Sequence, residues 1–200
     1  MKEPFAAFVE RELDDAPVVI ACGLPATNKT ETMDVVVRLK GYTMLRSDLI
    51  RLEVHKNEDI FDDKVASNMS KRTQVYDEMF RLADEAAARG EGVILDATFV
   101  TQALRRRAAE VAARHGRRLV IQETRCSEAY SLAKIAKRSR SSYESNALTP
   151  DAYYNNVKKL EPVDLDDLKS RYPTLDLLHL VVDTDSDREE DWHVVAKSTR

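Results

Sequence analysis

Glycine is scarce in this chain, at 5 of 200 residues, and neither a repeat nor a low-complexity linker is visible. Cysteine is scarcer still. Cys22 and Cys126 form no C-x-x-C pair and belong to no metal-ligand cluster. That excludes a disulfide framework and a thiolate metal site, and both are expected to be reduced packing residues of a cytoplasmic protein. The four histidines are scattered without ligand spacing, and Trp192, the sole tryptophan, is expected to dock the tail on the core. No apolar run approaches the length of a membrane span. The opening stretch MKEPFAAFVERELDD is acidic and amphipathic and lacks a secretory pattern. A net charge of -4 excludes a general affinity for nucleic acid or anionic membranes, though a local basic cleft stays open.

What is present is a globular composition, with 43% hydrophobic and 33% charged residues. A chain of this length buries a core without disulfides or metals. Five short β-branched runs read as strands: PVVIACG (17–23), YTMLRSD (42–48), GVILDATF (92–99), RLVIQETR (118–125) and HLVVDTD (179–185). Helical patterns lie between them, at roughly 65–89, 102–115 and 127–138, and a Thr149-Pro150 start opens another. The tail after Asp185 is weakly patterned. Alternating strands and helices predict an α/β fold of three layers with a mainly parallel sheet of five strands. One domain is expected over 1–200, with its core at about 17–185. Ligands in such sheets bind at the carboxyl ends of the strands. Lys29, Asp48 and Asp96 all fall there.

The stretch GLPATNKTET (23–32) carries most of the chemistry. It follows the first strand and opens a helix, and it matches G-x-x-x-x-G-K-[ST] at Gly23, Lys29 and Thr30. Asn28 stands where the glycine before the lysine belongs. Successive N–H groups at such a turn cradle phosphate. Asparagine tolerates the left-handed backbone that glycine usually supplies there, and its amide is a potential phosphate donor. The motif places Lys29 on the β- and γ-phosphates and the Thr30 hydroxyl on Mg²⁺. NKTE also matches the guanine-reading N-K-x-D, but it lies in the wrong place for that role.

With this loop, SDLIR, GVILDATF and AKRSR in that order, the chain resembles P-loop kinases of the AAA_33 or zeta-toxin-like group, over about 17–185. Polynucleotide 5′-kinase and the archaeal seryl-tRNA kinase belong to the same broad set. The resemblance implies a P-loop NTPase fold with a helical lid (about 134–156), Mg-ATP, and phosphoryl transfer to a hydroxyl. It makes Gly23, Ala26, Thr27, Asn28, Lys29, Thr30, Glu31 and Arg138 the expected nucleotide contacts. Relatives often carry glycine at the position of Ala26.

The resemblance further implies that Asp48, in D-x-x-R, is the base and Arg51 a substrate ligand. Asp96 stands near metal or acceptor and Thr98 is expected to help position the substrate; Thr30 and Asp96 are the expected metal residues. Lys29 and Arg138 join Asp48 as expected catalytic groups. Lys134, Arg138 and Arg140 supply the lid's cations. Lys134 stands where the family usually has arginine, and lysine is the poorer bidentate partner.

A second basic run, LRRRAAEVAARHGRR (104–118), reads either as a nucleic-acid footprint or, more simply, as the wet face of a helix. The expected acceptor is a small molecule or an RNA end. Its pocket falls on the least patterned segments, 53–67 and 139–156. The rival reading is a non-catalytic nucleotide- or RNA-binding module, motivated by Asn28, Ala26 and Lys134. A simple ATPase switch is a third.

Overall fold

The computed structural model describes residues 2–13, 16–56, 69–138 and 149–200. The order is β1 (Glu3–Pro4), α1 (Phe5–Glu12), β2 (Val18–Cys22), α2 (Lys29–Lys40), β3 (Thr43–Arg46) and α3 (Ser47–Val54). Then come α4 (Met69–Ala88), β4 (Val93–Asp96), α5 (Gln102–Arg114), β5 (Leu119–Arg125) and α6 (Glu128–Lys137). The remainder is α7 (Pro150–Val157), α8 (Leu165–Arg171), β6 (Leu177–Asp183), a 3-10 turn (Glu189–Asp191) and β7 (His193–Thr199).

The seven strands among the described residues share one sheet, ordered β1-β7-β6-β5-β2-β4-β3. The five expected strands are its parallel part, with Ile20 of β2 paired to Leu95 of β4 and Ile121 of β5. The sheet is wider than the five strands expected. The weakly patterned tail forms β7, antiparallel to β6, and β1 pairs beyond it. Only Val194 of β7 is fully buried, so this strand carries no apolar alternation to read. Trp192 does dock the tail: it is buried, and its Nε1 donates to Ser186 O at 2.8 Å.

β2 and β4 are buried on both faces, which explains their unbroken apolar runs. On one face Val18, Ile20, Val93 and Leu95 pack against Met79, Phe80 and Ala83 of α4, Val111 of α5 and Leu168 of α8. On the other, Val19, Ile94, Val120 and Leu180 meet Phe8 of α1 and Met33 and Val36 of α2. Each such side chain contributes about 1.5–3 kcal/mol when fully buried. The result is three layers, with the carboxyl ends of the parallel strands at one edge. No helix among the described residues is long and apolar enough to cross a membrane.

Other differences are local. β3 ends at Arg46, so Ser47 and Asp48 already belong to α3. The start of the helix expected from 65, much of the segment 53–67, and 139–148 of the lid, including Arg140, lie outside the described residues. Thr149 caps α7 with Pro150 in the first turn, as its sequence predicts. Of the arginines in the basic run, Arg114 is exposed, Arg106, Arg107, Arg117 and Arg118 are half-buried, and Arg105 is fully buried.

Candidate active site

The phosphate loop leaves β2 at Gly23, whose φ is +135°. A Cβ there would stand 2.7 Å from Thr124 O of the neighbouring strand, so glycine is required. Ala26 and Asn28 take the left-handed backbone at φ 61° and 55°. Both lie where relatives of this loop use glycine. The Ala26 methyl leaves the cradle and packs against Ile135 of α6 and Tyr153 of α7. Thr27 is tied down twice, its Oγ1 donating to Leu24 O at 2.8 Å and sharing a 2.7 Å bond with Thr124 Oγ1. Gly23 N donates to Thr98 O at 3.2 Å, joining the loop to the segment after β4.

Asn28 corrects one expectation. Its amide does not face the cradle. Nδ2 donates to Thr184 O and Tyr130 Oη, each at 2.9 Å, and to Ser186 O at 3.0 Å. Its Oδ1 accepts from Lys134 Nζ. Two carbonyls on one side and an ammonium on the other fix which end of the amide is which. The hydrogen-bonding capacity of the side chain is therefore spent on the protein.

Lys29 and Thr30 start α2. Lys29 Nζ donates to Leu24 O, folded back across the loop. Burial pushes its ammonium below the usual lysine range, and the nearby Asp96 acts against that. Thr30 Oγ1 donates to Asp96 Oδ2 at 2.7 Å. Asp96 ends β4 and is buried; Arg46 Nε stands 3.8 Å from it. Burial raises the Asp96 carboxyl above the usual range, opposed by Thr30 and Lys29. Glu31 bonds Lys134 across the loop. Burial works upward on Glu31, but that bond wins and its carboxyl is lowered.

Asp48 lies in the first turn of α3, where the helix dipole favours a negative charge. Burial nonetheless raises its carboxyl, against the opposing fields of Arg51, Arg46, Arg138 and Lys29. Those four cations and two carboxylates thus share one electrostatic site at the ends of β2, β3 and β4. Arg51 is buried, and its Nε and Nη1 have no hydrogen-bond partner among the described residues. Arg138 closes α6 as its C-cap. Thr98 shares a side-chain hydrogen bond with Tyr76 of α4, so the hydroxyl supports the site from behind.

Arg46 was not foreseen, although its place at the last residue of β3 is one where such sheets carry ligand groups. Tyr130, Thr184 and Ser186 were also missed. They lie 102, 156 and 158 residues from Asn28, beyond any local pattern.

A mainly parallel sheet, a phosphate loop following its strand β2, and a threonine of α2 bonded to the aspartate that ends β4 are the features of a P-loop NTPase fold. The AAA_33 family model, an AAA domain, matches residues 18–160, and the chain belongs to that family. Among solved structures it is similar to a sugar kinase from Janibacter sp. HTCC2649, at 14% identity over 84% of this chain and 86% of that one, TM-score 0.62. A gluconokinase from Sinorhizobium meliloti 1021 gives 14% identity over 86% and 84%, TM-score 0.55. The AvrRxo1-ORF1:-ORF2 complex with ATP gives 15% over 97% and 61%, TM-score 0.56. At these identities the likeness is one of fold. No curated protein matches the chain.

Proposed function

We propose that the chain is a Mg-ATP-dependent kinase that moves the γ-phosphoryl group to a hydroxyl of a small molecule. The observation that carries this reading is the gathering of Lys29, Asp48, Asp96, Arg51, Arg46 and Arg138 around the phosphate loop. Phosphoryl transfer needs little covalent help from a protein; it needs positioning and positive charge on the transferring group. Lys29 leaves Leu24 O for the β- and γ-phosphates, and Arg138 meets the charge that develops on the γ-phosphoryl. Arg51 holds the acceptor. As the acceptor oxygen bonds to phosphorus and the bond to ADP breaks, Asp48 takes the hydroxyl proton.

Mg²⁺ asks for oxygen ligands and commonly takes one or two protein groups beside phosphates. The Thr30 hydroxyl and Asp96 carboxylate, 2.7 Å apart, fit that demand. Among the described residues no group of three or more His, Cys, Asp or Glu could hold an ion alone. When bound, the ion screens the charge of the β- and γ-phosphates.

A small molecule is favoured over an RNA end because the basic run is already engaged. Arg106 bonds Asp167, Arg107 bonds Asp77, Arg114 bonds Asp84 and Arg118 pairs with Asp176. The non-catalytic reading loses weight because the Asn28 and Ala26 side chains leave the cradle.

The test is ADP formation with sugar, polyol and nucleoside acceptors. Turnover should be slow with ATP alone and faster with the right acceptor. Asp48→Asn should lower transfer by about 10²–10⁴-fold and leave Mg-ATP affinity within about twofold. Because burial raises the Asp48 carboxyl above its ordinary 3.8, the acid limb of the rate profile should lie above that value and vanish in the variant. An unchanged transfer rate in Asp48→Asn removes Asp48 from the mechanism.

A further inference from the structure

Beside the phosphate loop lies a cleft of about 340 Å³, lined by Tyr130, Ala133, Lys134, Lys137 and Arg138 of α6 and its C-cap and by Asp187 of the β6–β7 connection. Its volume is that of a small-molecule site. One wall is helix, the other is loop, and each is pinned to the same side chain. Asn28 reaches the helix wall through Tyr130 Oη and Lys134 Nζ, and the loop wall through Thr184 O and Ser186 O. Tyr130 Oη in turn donates to Asp187, bridging the walls directly. A glycine at position 28 makes none of these contacts.

We infer that Asn28 is a positioning residue, which sets the spacing of the two walls of a cleft that takes the base and ribose of a nucleoside triphosphate. This rests on the kinase reading above. The cleft continues from the phosphate loop, because Lys134 bonds both Asn28 and Glu31 at the loop's helix end. A ligand whose phosphates lie on the loop therefore extends into it. Its chemistry suits a base: an arginine and two lysines along one side, and the Asp187 carboxylate to accept from an exocyclic amine or ring N–H. Asn28 itself touches neither phosphate nor base in this arrangement. Its work is to hold the walls, so its loss should be felt by the nucleoside half of the ligand alone.

The experiment is calorimetric titration of Mg-ATP, Mg-GTP and Mg-tripolyphosphate into the whole chain, beside Asn28→Gly and Tyr130→Phe. Glycine fits the φ of 55° without strain, and Tyr130→Phe leaves the loop sequence intact should the first variant fold poorly. The expected result for Asn28→Gly is Mg-ATP affinity lower by roughly tenfold, with discrimination between ATP and GTP reduced and tripolyphosphate changed by less than about twofold. Tyr130→Phe should shift the nucleotides in the same direction, by about threefold, and leave tripolyphosphate alone. Equal shifts for ATP and tripolyphosphate, or no shift for either, overturn the inference while leaving the kinase reading intact. Failure of the unmodified chain to bind any of the three overturns both.

Discussion

Arg105 offers the sharpest test of how the site is held. The side chain is fully buried, and a charge so placed must be satisfied by hydrogen bonds. Its Nε donates to Phe99 O at 3.0 Å, Nη1 to Pro162 O at 2.8 Å, and Nη2 to Glu161 O at 2.7 Å and Val100 O at 3.3 Å. Gln102 Oε1 accepts a further bond at 3.2 Å. The guanidinium thus staples the turn after Asp96 and Thr98 to the segment that follows α7. Phe99 holds a φ of +42° in that turn, a conformation that needs outside support. Arg105→Met removes every bond; Val100 O keeps the Glu161 N–H, but the Pro162 and Glu161 carbonyls lose their donor. Each such group costs about 1–3 kcal/mol, so the loss is about 5 kcal/mol, comparable with the whole stability of many domains. Arg105→Lys keeps the charge but not the fork, and should lose roughly half of that. Urea denaturation reads both. A midpoint for Arg105→Met within about 0.3 M of the unmodified chain would refute the reasoning.

Three further outcomes follow from the geometry. Glu123 bonds His179 at 2.9 Å and Arg125 at 2.6 Å; burial acts upward on its carboxyl, but the two partners outweigh it and bring it to about 2 from 4.5. A lowered acid stabilises the fold above its unfolded value, so about 3 kcal/mol should be lost as pH falls from 4.5 toward 2. Glu123→Gln should lack that part of the acid transition in a pH series of denaturation curves. Gly23→Ala would drive a Cβ to 2.7 Å from Thr124 O at a φ of +135°; it should cost about 1–3 kcal/mol in thermal denaturation and weaken Mg-ATP. Thr30→Val, which removes the hydroxyl bonded to Asp96, should weaken Mg-ATP more than ATP in chelator, as titrations with and without the ion would read.

The parallel part of the sheet could be read from the sequence because its strands are buried on both faces. Val18–Cys22 and Val93–Asp96 are apolar almost throughout, and Gly23 and Asp96 mark the ends where chemistry sits. β7 could not, since one buried residue among seven leaves no period. Lys29, Thr30, Asp48, Arg51 and Asp96 were visible in motifs, and the fold brings them together. Arg105 was taken for one more arginine in a solvated run. A signal was there: it lies at positions i−3, i−4 and i−7 from the buried Ala108, Ala109 and Ala112, on the apolar stripe of α5. The role of Asn28 was half visible. Its left-handed backbone follows from the glycine it replaces, but its partners on α6 and the β6–β7 connection are set by the tertiary fold.

Calorimetric titration of Mg-ATP into the unmodified chain and into Lys29→Ala tests the central claim most directly. Saturable binding by the chain, lost in Lys29→Ala, is what a working phosphate loop predicts, even with asparagine and alanine at its left-handed positions. No binding at millimolar nucleotide, or equal binding by both proteins, would contradict it.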